Sequence, residues 1–485
     1  MSIRRHTLYN LAGQFAPLVL ALATIPALLG LIGEARYGVL VLVWLLVGYL
    51  GLFDLGLGPA TAQRLARTAS DSTEHARERA TVVWTSLTVN LALGVCGALL
   101  AWPIASYFFG QRFGMDEALR AEVLLALPWM ALAVPVATVS SVLVGALQAR
   151  HRFGEINLVN AIGQAGVQVL PLLVAWQVGP SLSGLVQAVL AARLLTACVL
   201  LHQCRRLVVP NQPARWNTQT ARDLLGFGGW VTVTAVIGPM MVILDRFAIG
   251  WLFGARAVSH YTIPFQLAER VTMLSSSLNF ALFPRLAADQ PEEERQALGQ
   301  QALRVLVLLL SPLVAAAVLL IGPFLAWWIS DELAAAAMGV AQVLFLGFWI
   351  NSLALVPFTQ LQAAGRPDLV AKCHALELLP YLALLYLGLQ QFGLMGAALV
   401  FCARAAVDFV LLAKLAGGLQ AQLRLVAWLA LVLGLLAALA ASGMAAHAWS
   451  WFVGAALWLA LLGWCVKQAP PGLLALLRLR PGVTR

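Results

Sequence analysis

Apolar runs nearly free of charge follow one another through the whole 485-residue chain, with only short polar connectors between them. A run of about 20 such residues crosses the hydrocarbon core of a bilayer as a helix, because in lipid every backbone N–H and C=O must be bonded within the segment. Fourteen runs fit, with approximate limits 8–32, 37–62, 80–109, 120–148, 156–177, 182–203, 222–252, 258–284, 300–328, 335–362, 370–391, 394–416, 425–446 and 448–466. With 61% hydrophobic and 11% charged residues, the composition excludes a soluble domain. A lipid-facing barrel would need short alternating strands, and the sequence has none. The fold class is therefore all-α and polytopic.

The connectors set the orientation. With the N-terminus in the cytoplasm, 23 of the lysines and arginines fall on the inner side, 5 on the outer, and Arg193, Arg270 and Arg404 lie within runs. That asymmetry predicts cytoplasmic N- and C-termini. The same distribution accounts for the formal charge of +10 without a nucleic-acid partner. The six cysteines are scattered with no CxxC spacing, so neither disulfides nor a metal site is expected. The basic start Arg4-Arg5 before an apolar run looks like a signal peptide, but the run continues through Leu31, too long for a signal's apolar core.

The first twelve runs divide into two similar halves. The fourth ends Leu147-Gln148-Ala149 and the tenth Leu361-Gln362-Ala363, each followed by an arginine and a turn. The sixth contains Ala192-Arg193-Leu194 and the twelfth Ala403-Arg404-Ala405, and the hinge from Gly33 to Tyr37 is echoed from Gly254 to Tyr261. An even number of runs per half makes these parallel repeats about an axis along the membrane normal. The expected division is an N-terminal six-helix lobe at 1–206, a linker at 207–221, a second lobe at 222–418, and two added spans with a tail at 419–485. Prolines inside the runs, among them Pro17, Pro26, Pro128 and Pro357, suit helices that bend around a cavity.

Ionisable residues inside the runs are few, and their cost in hydrocarbon makes each a candidate for a site. Asp54 lies among glycines in the second run, which leaves the bilayer on Arg64 and Arg67. A lone carboxylate there needs a proton or a partner, so Asp54 is expected to exchange a proton or to pair with a cation from another helix. The same glycines, Gly48, Gly51, Gly56 and Gly58, also suit close helix packing. The other candidates are Arg193, Asp245, Arg246, Glu269, Arg270, Glu377, Arg404 and Asp408. Arg404 and Asp408, four apart, share a helix face and can pair. Gln266, Glu269 and Arg270 form a polar cluster on the eighth run. Asp245 and Arg246 can extend to the outer surface, and Glu377, close to Lys372, can do likewise at the inner one. The alternative to these packing roles is that both halves contribute arginines and carboxylates to a hydrated central cavity. Arg193 and Arg404, at matching repeat positions, would there attract an anionic headgroup such as a phosphate.

Taken together, these residues resemble the polysaccharide transporter family of the multidrug/oligosaccharidyl-lipid/polysaccharide flippase superfamily. The resemblance rests on Asn10, Gly13, Pro17, Pro26, Gly33 and Tyr37-Gly38, on Phe53-Asp54-Leu55-Gly56-Leu57 with Ala62 and Arg64, on Asp245-Arg246, and on the two Leu-Gln-Ala exits, and it covers roughly residues 1–418. It implies two lobes forming a V around a cavity open to either side in turn. It also implies that the cargo is an undecaprenyl-diphosphate-linked oligosaccharide, moved from the inner to the outer leaflet of the cytoplasmic membrane for cell-surface polysaccharide biosynthesis. A proton or a sodium ion would couple the transport, no cofactor is implied, and the partners would be membrane lipids and the polysaccharide assembly machinery. Lipid II flippases and drug/cation antiporters of the superfamily are the alternatives; the lipid II type is less similar, since the first run has no arginine from Leu11 to Gly33. The competing class is a membrane-embedded glycan polymerase or ligase. Against an enzyme stand the short outer loops, the lack of a paired-carboxylate motif in Ser70–Arg79, and the lack of a GxxxxGK[ST] loop.

Overall fold

The computed structural model describes residues 3–49, 54, 56–66, 73–210, 212–287, 291–441 and 448–469. Its elements are helical throughout: α1 (Ile3–Tyr49), α2 (Leu57–Ala66), α3 (Thr73–Tyr107) with a π-helical turn at Phe108–Arg112, α4 (Glu117–Ala149), α5 (Phe153–Gln177), α6 (Leu182–Leu207), α7 (Thr218–Phe253), α8 (Ala255–Glu269), α9 (Thr272–Leu286), α10 (Glu292–Trp328), α11 (Asp331–Ala363), α12 (Pro367–Leu415), α13 (Leu419–Ala441) and α14 (Ala448–Gln468). Ten described helices are long and apolar enough to cross a membrane. The all-α polytopic fold is the one the hydropathy dictates.

The connections differ from expectation in two ways. Some predicted turns are single residues: α1 carries the first two runs across Gly33 (φ 77°, ψ 163°), and α12 carries the eleventh and twelfth across Gly393 (φ 58°, ψ −139°). Conversely, two runs predicted as continuous are broken. The run at 37–62 is interrupted before Leu57, so α2 is a separate short helix, and the run at 258–284 divides into α8 and α9 at Arg270-Val271.

By internal packing the chain divides into two units, residues 1–259 and 260–485. In the first, α2 lies against α3, α4 and α7, around a core that includes Leu57, Leu65, Val83, Leu143, Leu147 and Leu200. The polar stretch leading into α7 is pinned to α3: the Arg79 Nε donates to the Val208 carbonyl (3.4 Å) and the Asn217 N–H to Thr85 Oγ1 (3.1 Å). Asn217 then caps α7 by accepting from the Thr220 N–H at 2.8 Å. In the second unit α11 packs between α10 and α12 with α9 alongside, around Phe265, Phe348 and Phe401, whose ring centroids lie 4.8–5.5 Å apart. The two C-terminal helices lean on α10, where the Trp458 Nε1 donates to the Pro312 carbonyl at 2.8 Å and Arg304 reaches the Gln468 side chain at 2.8 Å.

The sequence repeat reappears in the backbone. At the end of α4 the N–H groups of His151 and Arg152 return to the carbonyls of Gln148 and Leu147, at 2.9 and 3.1 Å, with His151 at φ 55°. At the end of α11 those of Gly365 and Arg366 return to Gln362 and Leu361, at 3.0 and 2.9 Å, with Gly365 at φ 73°. Both are the same left-handed helix stop. One helix crossing is built in two chemistries. Where α2 meets α4, Gly58 and Gly145 touch so closely that a Cβ on Gly145 would strike the Gly58 carbonyl. Where α9 meets α11, the Thr359 hydroxyl donates to the Asn279 side chain. Gly145 and Thr359 each stand two residues before the matched leucines Leu147 and Leu361, and Gly58 and Asn279 lie equally far along the chain from Gly33 and Gly254.

Candidate functional site

Asp54 is buried, and its surroundings explain the break in its run. Its Oδ1 accepts from the N–H groups of Leu57 (2.5 Å) and Gly58 (3.3 Å), and its Oδ2 accepts from the Ser141 hydroxyl of α4. Asp54 is thus a cap on α2 rather than a residue inside a spanning helix, and it satisfies donors that a helix start leaves open. The cation partner expected for it is absent among the described residues. One turn on, the Thr61 hydroxyl meets the Leu57 carbonyl (2.7 Å) and Ser86 Oγ of α3 (2.9 Å), which fixes the short helix from the other side.

The turns at Gly33 and Gly254 lie against each other within the first unit. Gly254 has φ 86° and ψ 177°, close to the dihedrals of Gly33, a region that essentially only glycine occupies. Arg256 forms an ion pair with Glu34, the Ser259 hydroxyl donates to the Glu34 carbonyl (2.5 Å), and Gly38 leaves no room for a Cβ against Ala255. Beside them Arg36 grips Glu122 of α4 with two donors, at 2.6 and 3.0 Å, and Glu122 also accepts from the first N–H of α6 at 3.2 Å. Sequence reasoning singled out none of these carboxylate partners. Glu34 and Arg256 were visible only as members of the two echoed turns.

Asp245 and Arg246 do not extend to a surface. Each is 1% exposed, and they pair with one another at 3.1 Å inside the first unit. Glu269 and Arg270 lie at the α8–α9 break, both half-buried, and no ion pair joins them to each other or to another described residue. The expected Gln266, Glu269 and Arg270 cluster is therefore not knitted together.

Arg193 sits midway along α6. It is half-buried, its Nε is shut off from solvent with no acceptor, and no described residue pairs with it. Its repeat counterpart Arg404 differs. Asp408 does not pair with Arg404 as the four-residue spacing suggested. The Arg404 Nη1 lies 3.8 Å from Glu377 Oε2, and the His374 Nε2 lies 3.4 Å from Asp408 Oδ1. The guanidinium also covers the rings of Phe401 (5.6 Å) and Tyr381 (6.0 Å). Glu377 is buried rather than extended to the surface, and Lys372 pairs instead with Asp368 at 3.1 Å. His374 was the residue missed; it stands one turn before Glu377, and that spacing was the available signal.

Residues 28–337 match the sequence profile of the family described as "Polysaccharide biosynthesis protein". A Shigella flexneri protein named "Putative O-antigen transporter" is 28% identical over 412 residues, which cover 85% of this chain and 97% of that protein. Among solved structures, "Lipid II flippase MurJ, inward closed conformation" aligns with a TM-score of 0.74 at 11% identity, over 97% of this chain and 100% of its own. An inward-facing multidrug resistance MATE family transporter of the MOP superfamily aligns with a TM-score of 0.63 at 16% identity, over 88% of this chain and 96% of its own. At such identities the structural likeness establishes the fold.

Proposed function

The chain belongs to the polysaccharide biosynthesis protein family, and we propose that it is a flippase that carries a polyprenyl-diphosphate-linked oligosaccharide from the inner to the outer leaflet of the cytoplasmic membrane. The name of its Shigella flexneri relative supports an O-antigen type of cargo. The lipid II and drug readings rest on likeness of fold at 11% and 16% identity. Physically, a diphosphate in hydrocarbon is prohibitively costly without a cationic path, whereas the polyprenyl tail can stay in lipid.

The observation that carries the reading is Arg193. A mid-span arginine without a partner costs about 2.5–3.5 kcal/mol on insertion scales. A ligand that supplies anionic oxygens offsets that cost, and a guanidinium holds a phosphate through two donors at once, where a lysine offers a point charge. Six-helix lobes at 1–206 and 222–418, with both termini in the cytoplasm, place the Gly33 and Gly254 turns at the outer face. There the Glu34–Arg256 contact serves as a closure, since a half-exposed ion pair is worth about 0–1 kcal/mol and opens readily. Asp54 then holds α2 in place and Asp245 and Arg246 neutralise each other inside their unit, while Glu269 and Arg270 border the path rather than bind the headgroup. The protein moves its cargo and makes no bond, and it works beside the polysaccharide assembly machinery.

The test is made in cells that build a surface polysaccharide with this protein as their flippase. Arg193→Ala and Arg193→Lys are both expected to leave lipid-linked oligosaccharide on the inner leaflet at unchanged protein levels, and Arg404→Ala to do so more weakly. Full export by Arg193→Ala would remove Arg193 from the substrate path.

A further inference from the structure

Within the second unit, the two spans that α12 joins across Gly393 enclose two carboxylates, a guanidinium and an imidazole. Glu377 and Asp408 are 6% and 5% exposed. Arg404 stands at ion-pair distance from the first and His374 from the second, yet neither oxygen of Glu377, nor Oδ1 of Asp408, accepts a hydrogen bond. With His374 neutral, the four carry a formal charge of −1, and an uncompensated charge taken out of water costs several kcal/mol. One proton brings the group to zero. It adds to a ring nitrogen of His374 or to a carboxylate oxygen and leaves from the same atom, and nothing else is consumed. A sodium ion would instead have to displace the guanidinium or the imidazole that already faces the carboxylates.

The repeat sharpens the point. Extending the match of Leu147 with Leu361 places Gly163 where Glu377 stands, and extending that of Arg193 with Arg404 places Ala197 where Asp408 stands. One half keeps an arginine with no acid, and the other surrounds its arginine with two acids and a histidine. The first arrangement suits a fixed anion, the second a variable charge.

Among the described residues, the charged groups acting on Glu377 are Asp408, Arg404 and His374. On α12 itself, Lys372 and Asp368 pair near the helix start, Lys414 is exposed near its end, and the Cys373 thiol stands beside the two acids. On the helices packed against α12 within the second unit, the charged and titratable residues are Asp331 and Glu332 at the start of α11, Arg424, exposed on α13, and His260 and Glu269 of α8, whose Phe265 ring lies 5.5 Å from that of Phe401. His374 and Asp408 each lie about 10 Å inside the ends of α12 at 1.5 Å per residue, and the His374 side chain is 23% exposed.

We propose that His374, Glu377, Arg404 and Asp408 form a proton-binding site that takes up and releases one proton per transport cycle. This rests on the flippase reading and names its coupling ion and where that ion binds.

Two measurements test it. Purified protein in liposomes free of glycolipid is taken through a pH jump, and the carboxyl C=O and imidazolium bands are followed by infrared difference spectroscopy. The wild type is expected to show a titrating band that is lost in Glu377→Gln or Asp408→Asn and shifts its midpoint in His374→Gln. His374 has a side chain 23% exposed, so its variant keeps the test usable where a carboxylate variant fails to fold. In vesicles supplied with lipid-linked oligosaccharide, an imposed pH gradient is expected to speed transport by the wild type and to lose that effect in Glu377→Gln. Identical bands and midpoints in all three variants would overturn the site, as would transport driven by a sodium gradient alone. A titrating site in a protein that moves no lipid-linked oligosaccharide would support the site and overturn the flippase reading.

Discussion

Removing the Asp54 carboxylate separates a structural charge from a transporting one. Asp54→Ala deletes the acceptor for the Leu57 and Gly58 N–H groups, a loss of the order of 0.5–2 kcal/mol for a helix cap. It also strips the Ser141 hydroxyl of its acceptor in a buried place, a further cost of about 1–3 kcal/mol. The sum, about 1.5–5 kcal/mol, changes the equilibrium for opening α2 by roughly 10- to 4000-fold, at 1.4 kcal/mol per factor of ten. Asp54→Asn keeps an oxygen where Oδ1 caps the helix, and its amide can donate to Ser141 with the hydroxyl reversed, so it is expected to cost about 1 kcal/mol or less. Hydrogen exchange at the Leu57 and Gly58 amides, with thermal unfolding in detergent, reads both variants. Faster exchange at those two amides in alanine but not in asparagine is the expected pattern. Equal loss in both variants would show that the negative charge, not the cap, holds α2, and the reasoning would fail. A folded asparagine variant that does not export would give the carboxylate a second role in transport.

Two further outcomes follow from the packing. Gly254→Ala is expected to destabilise more than Gly33→Ala: both force alanine into dihedrals that cost about 1–3 kcal/mol, but only at Gly254 would the new Cβ meet a neighbour, the Gly114 carbonyl at 2.7 Å. Equal melting temperatures would refute this. Trp458→Phe keeps an aromatic ring but loses the pyrrole ring with its donor to the Pro312 carbonyl, so it is expected to cost at least about 0.5–1.5 kcal/mol and to raise exchange where α14 meets α10; no change at that contact would mean the bond contributes nothing.

The fourteen runs could be read at once because lipid allows a chain so few solutions. Length and lack of charge were enough to find α4, α5, α6 and α11 nearly to their ends. The breaks before Leu57 and at Arg270-Val271 were not legible, since hydropathy averages over a turn and does not register a side chain that replaces one. Pairing misled for a related reason. Spacing along one helix makes Asp408 the natural partner of Arg404, but α12 folds at Gly393 and brings Glu377 and His374 nearer. Asp245 and Arg246 were legible as charged but not as buried, because adjacent residues do not face one another on a helix and their 3.1 Å contact depends on how the surrounding helices enclose them. Arg193 was the exception: no acid lies in its turn of the sequence, and none pairs with it among the described residues.

The crossing made twice in different chemistry bears on how such a chain can change over generations. At Gly58 and Gly145 the two backbones touch, and at Asn279 and Thr359 two side chains fill the gap and bond across it. Neither state reaches the other by one substitution. Threonine at 145 strikes the Gly58 carbonyl, and glycine at 279 leaves the Thr359 hydroxyl without its cross-helix acceptor. Each pair is therefore expected to change as a unit, and a residue transplanted singly from one half to the other should fail where the same residue moved with its partner succeeds.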